Sequence, residues 1–311
     1  MCATEAELAL GAPSEFQPTS PHDRWHHRGR AGARRSRGAP HKTLTMPRVL
    51  LDLEFDGAAF HGTQVQGKGE RTLASVVTPA LLRFCDDPVP RFASRLDGGV
   101  GAVSLPTDVW IDRVPQNGLG ALARAITSKL PRDAAVVRIA PVADDFDAIR
   151  HAVAKTYTYR LLIRGTAPAR DHRCWWVEAV DHPEILDQLA ARITGRHDLR
   201  GFACLRHDDT DLNDGTRTIH SATWTWTDTL PGRLGTLRIR GTGFLYKQIR
   251  GFVGAMVSAA QGRRPVADFL AIADGHGDIT RLGNLAPPDG LCLDNVEYDP
   301  PPAWLDPTRE H

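Results

Sequence analysis

The sequence predicts an α+β protein made of two similar halves. Stretches with the composition of strands are followed by stretches with helical spacing, and this order occurs twice along the chain. Between the two occurrences, residues 164–172 carry Gly, Pro and charged residues and are predicted to form a hinge. We therefore expect a first half over residues 47–165, a second half over residues 166–300 and a tail over residues 301–311.

The first half is predicted to contain three strands and two helices. Alternating apolar residues, or β-branched and aromatic ones, indicate strands at residues 49–55, 135–139 and 156–163. Apolar residues at intervals of three and four indicate helices at residues 73–84 and 119–130. Asp56-Gly57 ends the first strand as a turn signal, and Pro131 stops the second helix.

The second half is predicted to repeat this organisation. An amphipathic helix is expected at residues 184–193, and a helix rich in small residues is expected at residues 253–260. Alternation predicts a strand at residues 219–226, with residues 234–240 as its neighbour.

Composition bounds the class of protein. The 311 residues are 41% hydrophobic and 24% charged, which is typical of a folded globular chain. No apolar run approaches the roughly 20 residues of a membrane helix, and the N-terminus lacks the order of a secretory signal. The five cysteines form no C-x-x-C pair. We therefore expect a reduced, cytoplasmic protein without membrane attachment.

Two histidine-containing stretches are conceivable metal ligands. His26-His27 and His207-Asp208-Asp209 lie in polar, turn-rich surroundings without a partner motif, so no metal site is predicted. The formal net charge of +1 provides no overall positive field, and a nucleic-acid partner would have to be bound by a local patch.

The first 46 residues differ from the rest of the chain. They are rich in Gly, Pro, Arg, His and Ala, show no periodicity, and are predicted to be a disordered basic extension. Either they form a basic arm that contacts RNA, or they are a leader without function that precedes a true start at Met46. The second alternative is favoured, because four acidic residues are scattered among seven basic ones.

The stretch "SRLDGGVGA", residues 94–102, contains the most distinctive carboxylate of the chain. Asp97 is followed by Gly98 and Gly99, which let backbone approach whatever the carboxylate faces. A lone Asp-Gly is typical of a plain turn. A catalytic role is indicated only by the motifs that accompany it.

Six further motifs occur at characteristic separations along the chain: "FDGAAFHGTQVQ", "KLPRD", "KTYTYR", "GRHDLRGF", "GTGFLYKQIRGFVG" and "APPDGLCL". Together with "SRLDGGVGA" they resemble the tRNA pseudouridine synthase A family from about Pro47 to Tyr298. The resemblance implies two α+β halves, each an antiparallel-rich sheet backed by helices, with a basic active-site cleft between them. It also implies a homodimer that uses no metal or organic cofactor and converts uridines in the tRNA anticodon stem-loop to pseudouridine.

The resemblance assigns three central residues. Asp97 matches the family's nucleophile, and a carboxylate can form and release the covalent adduct that such an isomerisation needs. Tyr157 matches the tyrosine that stacks on the flipped base and could help take the C5 proton. Arg250 matches a basic residue that would form an ion pair with Asp97 or bind the target phosphate. Tyr159 is assigned to packing or support.

Further basic residues are candidates for contacts with the tRNA. Arg95, directly before the loop carboxylate, would push into the helix or hold flanking phosphates. Additional phosphate contacts are expected from Lys155, Arg200, Arg217 and Lys247.

Several positions depart from the family's usual motifs. Leu96 and Gly101 stand where a threonine and a histidine are usual, Thr63 replaces a tryptophan, and Ile149 replaces an RNA-facing arginine, with Arg150 one place along. An altered RNA target and a non-catalytic RNA-binding relative therefore stay open. An aspartate-dependent hydrolase is a further alternative, but no motif supplies the second carboxylate it would need. The presence of Asp97 favours an enzyme, because a binder gains nothing from a carboxylate facing phosphates.

Overall fold

The computed structural model describes residues 47–65, 67, 69–204, 215–276 and 284–307. The predicted extension over residues 1–46, with Met46 and the His26-His27 pair, lies outside this part of the chain, as do His207, Asp208 and Asp209. The predicted tail is described as far as residue 307.

The described residues form ten β-strands and five α-helices. The strands are β1 (Arg48–Phe55), β2 (Arg91–Phe92), β3 (Gly101–Trp110), β4 (Ala134–Val142), β5 (Ala152–Ile163), β6 (Trp175–Val177), β7 (Gly195–Asp198), β8 (Thr216–Asp228), β9 (Arg233–Gly241) and β10 (Leu291–Tyr298). The helices are α1 (Leu73–Leu81), α2 (Gly118–Thr127), α3 (Glu184–Arg192), α4 (Gln248–Ala260) and α5 (Val266–Ala273).

All ten strands belong to one mixed sheet, which confirms the predicted α+β class. The order is β4-β1-β3-β10-β5-β9-β8-β7, with β2 paired to β3 and β6 paired to β5. Neighbours are antiparallel except for β10 with β3 and β6 with β5. The sheet is therefore antiparallel-rich, as expected, but it runs continuously through both halves. The predicted domain boundaries stay a prediction.

The sheet has one apolar face and one polar face around β5. Tyr157, Tyr159 and Leu161 are buried in the core that also holds the inward sides of α3 and α4. The residues between them point the other way, where Thr158 bonds the carboxylate of Asp294. This alternation explains why the sequence of β5 shows a strand so clearly, and it fixes Tyr157 on the same face as α4.

Three strands of the first half are predicted by their periodicity, but β3 is not. Its residues are buried on both faces, including Ser104, Thr107 and Asp108, so the strand lacks simple alternation. Asp108 is neutralised there by Arg48 and Arg91. Among the described helices, none combines the length and apolar character needed to cross a bilayer.

Candidate active site

The loop that carries Asp97 connects β2 to β3 and is held on both sides of the carboxylate. The Leu96 carbonyl accepts a hydrogen bond from the Thr63 N–H at 3.2 Å, and the Gly99 N–H donates to the Phe60 carbonyl at 3.0 Å. Gly99 has a φ of +86°, which residues with a Cβ rarely adopt. The glycines after Asp97 therefore let the chain turn back into β3 while its backbone stays bonded to residues 60–63.

Asp97 and Arg250 form an ion pair although they are 153 positions apart in the sequence. The Arg250 Nη1 donates to the Asp97 Oδ2 at 2.9 Å, and the side chains of Arg250 and Asp97 are only 13% and 20% exposed. Arg250 lies in the first turn of α4, and its Nε also donates to the Ala286 carbonyl at 2.8 Å. The guanidinium is thereby fixed from two directions, and it presents a charged partner to the carboxylate.

Tyr157 faces this pair from the middle of β5. Its hydroxyl lies 2.9 Å from the Ser94 Oγ, and its ring meets the ring of Phe244 edge-to-face, with centroids 5.3 Å apart. Burial raises the pKa of Tyr157 to about 12, against the lowering effect of Ser94, and the Asp97 charge adds to the rise. The phenol is therefore uncharged at neutral pH.

Lys155 lies two residues before Tyr157 on the same strand face. Its Nζ donates to the Ala93 carbonyl at 2.7 Å, at the start of the loop that leads to Asp97. Burial lowers the pKa of this ammonium to about 8. The charge of Lys155 therefore changes in a pH range where the protein can be assayed.

These groups surround a cavity of about 220 Å³. It is below the roughly 300–1,000 Å³ typical of drug-sized ligands, so its size suits a single small ring. Its charged residues are Asp97 and four basic ones, namely Arg95, Lys155, Lys247 and Arg250. A wider cavity of about 630 Å³ adjoins it and shares Arg95, Asp97, Lys247 and Arg250. The local charge is strongly positive although the chain is close to neutral.

A third cavity, of about 580 Å³, shares only Leu291 with the cavity of about 220 Å³. Its walls mix basic residues and carboxylates, with Arg132, His172 and Arg173 beside Glu54 and Asp289, and it contains none of the predicted site residues. The described residues also contain no cluster of three or more His, Cys, Asp or Glu side chains that could hold a metal ion.

Six of the seven predicted site residues line the cavity of about 220 Å³, namely Asp97, Tyr157, Arg250, Arg95, Lys155 and Lys247. Arg217 does not: it lies on β8 beside β7, and its Nη1 donates to the Thr216 carbonyl at 2.7 Å. Arg200 forms an ion pair with Asp198. Tyr159 is fully buried and donates its hydroxyl to the Pro287 carbonyl at 2.8 Å, as expected for a supporting residue.

The positions that depart from the family's motifs also have defined environments. Ile149 lines the cavity and is 53% exposed, whereas the Arg150 Nε is bonded to Asp147 at 3.0 Å. Arg150 therefore does not supply to the cavity the basic contact that is missing at Ile149. Gly101 packs against the turn after β1, where a Cβ would lie 3.0 Å from the Phe55 carbonyl oxygen.

Three residues of the site are missed at the level of sequence. Ser94 bonds the Tyr157 hydroxyl, Phe244 packs on the Tyr157 ring, and Thr63 bonds the backbone of Leu96. Ser94 and Phe244 lie inside motifs quoted above, so their position in the chain is the available signal. In the sequence, Thr63 stands out only as a departure from the usual tryptophan.

Comparison with known proteins gives a consistent result. Residues 189–299 match a family model described as tRNA pseudouridine synthase. A tRNA pseudouridine synthase A from Myxococcus xanthus is 35% identical over 261 residues, which cover 83% of this chain and 95% of that protein. One from Thermus thermophilus is 32% identical over 255 residues, covering 81% and 97%. A chain in the "Crystal Structure of a Cbf5-Nop10-Gar1 Complex" aligns at TM-score 0.31 with 9% identity, covering 79% of this chain and 58% of that one. This TM-score and identity are too low for any inference about this chain.

Proposed function

Because the chain belongs to the tRNA pseudouridine synthase A family, we propose that the cavity beside Asp97 receives a flipped-out uridine of the tRNA anticodon stem-loop and isomerises it to pseudouridine. The enzyme is accordingly an isomerase, and tRNA is its substrate. The observation that carries the assignment of the site is the Asp97–Arg250 ion pair on the wall of a base-sized cavity opposite Tyr157.

The reaction exchanges one bond of the base for another. The N1–C1′ glycosidic bond breaks, the uracil ring turns, and a C5–C1′ bond forms, while the proton lost from C5 is balanced by one gained at N1. No atom and no electron is gained or lost overall. The Asp97 carboxylate is the nucleophile that forms a temporary bond to the substrate and is released at the end.

Arg250 positions this nucleophile. Its Nε bond to the Ala286 carbonyl leaves Nη1 aimed at Oδ2 of Asp97, so one carboxylate oxygen is held while the other is available for attack. The local concentration of positive charge also offsets the negative charge of the incoming phosphate.

The uridine must leave the base stack of the RNA arm to reach Asp97. Unstacking the base in this way costs a few kcal/mol. Tyr157 and Phe244 supply the aromatic wall against which the extruded base packs. Since the phenol is protonated at neutral pH, Tyr157 is not itself a base for the C5 proton; its ring holds the extruded base while its hydroxyl shares a hydrogen bond with the Ser94 Oγ at 2.9 Å.

The basic residues around the cavity bind the tRNA backbone. Arg95, Lys155 and Lys247 are assigned to phosphates that flank the target, and Arg217 on β8 is assigned to a more distant one. By the same resemblance we infer that the enzyme acts in the cytoplasm as a homodimer. Light scattering of the purified full-length chain measures the oligomeric state directly.

The test is pseudouridine mapping on unmodified tRNA incubated with the purified full-length chain. Wild type is compared with Asp97→Ala and Asp97→Asn, and with Asp228→Asn, which changes an exposed carboxylate at the end of β8. We expect pseudouridine in the anticodon stem-loop with wild type and Asp228→Asn, and none with either Asp97 variant. In Arg250→Met, kcat is expected to fall by about tenfold or more.

Two outcomes would contradict the proposal. If wild type binds tRNA but forms no pseudouridine, the chain is an RNA-binding relative or acts on another RNA. If Asp97→Ala still forms pseudouridine at the wild-type rate, Asp97 is only a turn residue.

A further inference from the structure

We infer that Thr63 is a positioning residue for the nucleophile Asp97. Thr63 bonds both the N–H and the carbonyl group of Leu96, the residue directly before Asp97. The catalytic consequence rests on the proposed function of Asp97. The structural statement, that Thr63 fixes the loop, can be measured without any reaction.

The contact between Thr63 and Leu96 is reciprocal. The Thr63 N–H donates to the Leu96 carbonyl at 3.2 Å, and the Leu96 N–H donates to the Thr63 Oγ1 at 3.2 Å. Both residues are removed from water, with 1% of Thr63 and 7% of Leu96 exposed. A single side chain thus satisfies a buried N–H group that water cannot reach.

Thr63 is itself anchored to the start of α1. Its carbonyl accepts a hydrogen bond from the Ala74 N–H at 3.0 Å. That helix begins with a capping box, in which Thr72 and Ser75 exchange hydrogen bonds, so its first turn is well defined. The position of Asp97 is therefore fixed, through Leu96 and Thr63, by the start of a helix.

The neighbouring glycine shows how close this approach is. Gly62 has a φ of +89°, and a Cβ at this position would lie 2.7 Å from the Leu96 carbonyl oxygen. The backbone at residues 62–63 therefore lies directly against the backbone at residue 96. At this separation the short, β-branched threonine side chain, with few χ1 rotamers, reaches the N–H of Leu96.

The consequence for the reaction follows from the position of Leu96. The Asp97 carboxylate must meet Arg250 and the substrate at once, and a misplacement of about 1 Å can reduce the rate on the order of 100-fold. Loss of the Thr63 hydroxyl leaves the Leu96 N–H buried without an acceptor, and the loop must move to hydrate it. The expected defect is in the chemical step and not in tRNA affinity.

The test uses four variants of the full-length enzyme. Thr63→Val removes the hydroxyl at nearly constant shape, Thr63→Ala removes it without adding a methyl group, and Thr63→Ser restores it. Thr127→Val is the matched control, because the Thr127 Oγ1 accepts a hydrogen bond from the Val136 N–H at 3.1 Å, outside the candidate site. Measured are kcat and KM for unmodified tRNA, and hydrogen–deuterium exchange of peptides that contain Leu96.

We expect kcat of Thr63→Val and Thr63→Ala to fall about tenfold or more, with KM within about twofold of wild type. Exchange at Leu96 should accelerate in both variants. Thr63→Ser should restore both properties, and Thr127→Val should leave both unchanged.

The inference is overturned if exchange at Leu96 is unchanged in the hydroxyl-free variants, or if Thr127→Val lowers kcat as much as they do. It is also overturned if Thr63→Ser is as defective as Thr63→Ala. Failure of the proposed function gives a different result, because wild type would then form no pseudouridine whatever the exchange at Leu96.

Discussion

Lys155 is a partly buried ammonium in a cavity that is proposed to receive RNA. Its pKa of about 8 means that the side chain is charged at pH 7 and largely neutral at pH 9. If Lys155 contacts a phosphate, tRNA binding should weaken over this range, because the neutral amine loses its attraction for the anion. We predict that the Kd of wild type for tRNA rises several-fold from pH 7 to pH 9 at constant salt.

The matched variant is Lys155→Arg, whose guanidinium stays charged throughout this range. Its Kd should be nearly independent of pH, and Lys129→Arg, at an exposed position after α2, should behave like wild type. Filter binding at fixed ionic strength measures both. A pH dependence that survives in Lys155→Arg would assign the titrating group elsewhere.

The sign of the effect on folding is opposite to that on binding. The pKa of Lys155 is lower in the folded protein than the roughly 10.4 of an unfolded chain, so the unfolded state binds more protons between pH 8 and pH 10.4. The contribution of Lys155 to the free energy of unfolding therefore increases with pH in this window, while its contribution to tRNA binding decreases.

Asp97, Tyr157 and Arg250 could be singled out through the motifs that resemble the family, whereas Ser94, Phe244 and Thr63 beside them were not singled out. Asp97, Tyr157 and Arg250 each carry a functional group that identifies them in a sequence. The partners of Lys155, Thr63 and Arg250 include backbone carbonyls or N–H groups, which any residue type has. Such contacts arise only when the folded chain brings distant residues together. In the sequence, Thr63 is therefore seen only as the loss of the usual tryptophan, and its hydrogen bond to Leu96 is not visible.

At the scale of elements, two of the sequence motifs support the segment that holds the loop. The Asp56 N–H donates to the Asp133 carbonyl at 2.9 Å, and Arg71 forms two hydrogen bonds with the Asp133 carboxylate, at 2.7 and 2.8 Å. The Arg71 guanidinium also lies over the ring of Phe60, 4.2 Å from its centroid. "FDGAAFHGT" and "KLPRD" thus meet in space, and their role here is structural.

We predict that Asp133→Asn lowers the free energy of unfolding by roughly 1 kcal/mol at pH 7, the upper end for partly exposed pairs. Hydrogen bonds from Arg71 lower the pKa of Asp133 from its ordinary value. A depressed carboxylate pKa contributes stability above the unfolded pKa of about 4, and this is lost as the pH falls through the folded pKa. The difference from wild type should therefore disappear in acid.

Urea unfolding from pH 7 to pH 2.5 measures this, with Asp145→Asn as the control at an exposed carboxylate. The control should follow wild type at every pH. A difference for Asp133→Asn that persists at pH 2.5 would show that the pair acts through shape and not through charge.

The elements that the sequence predicted and those it did not differ in how clearly their residues form a pattern. Helices α1 to α3 are each marked by apolar residues at helical spacing, α4 is marked by its small residues, and the alternation of β8 and β9 is plain. In β3, by contrast, Pro106 and the buried Asp108 interrupt the pattern, and the ion pairs that neutralise Asp108 come from residues far away in the sequence. Strand β1 is also buried on both faces but is still recognised, because its residues are mostly apolar. Strand β3 is missed because a proline and buried polar residues interrupt its apolar positions.

At the scale of the whole molecule, the last strand lies between strands from the early part of the chain. Strand β10 pairs in parallel with β3 and antiparallel with β5, so the chain after α5 returns to the middle of the sheet. The Asp97 loop leads into β3, while Tyr157 lies on β5 and Arg250 on α4. Asp97 and Tyr157 thus come from residues 47–165 and Arg250 from residues 166–300, so neither predicted half alone contains the complete site.

The distribution of charge leads to the final prediction. With a net charge of +1, the chain cannot attract tRNA through its overall field, but four basic residues around the cavity beside Asp97 create a local positive charge. Binding should release few counterions. Each phosphate that no longer has a basic partner should reduce the slope of log Kd against log salt by about 0.7–0.9.

Lys247→Gln and Arg263→Gln remove one positive charge each at opposite ends of α4, about 20 Å apart along the 13-residue helix. Lys247 borders both cavities beside Asp97, whereas Arg263 follows the far end of the helix and lines neither. We expect Lys247→Gln to reduce the slope of log Kd against log salt by the amount for about one phosphate, and Arg263→Gln to leave the slope unchanged. Binding is measured from about 50 to 300 mM salt, where such dependence is usually steep. Equal effects of the two substitutions would mean that tRNA responds to net charge and that the cavity has no special part in binding.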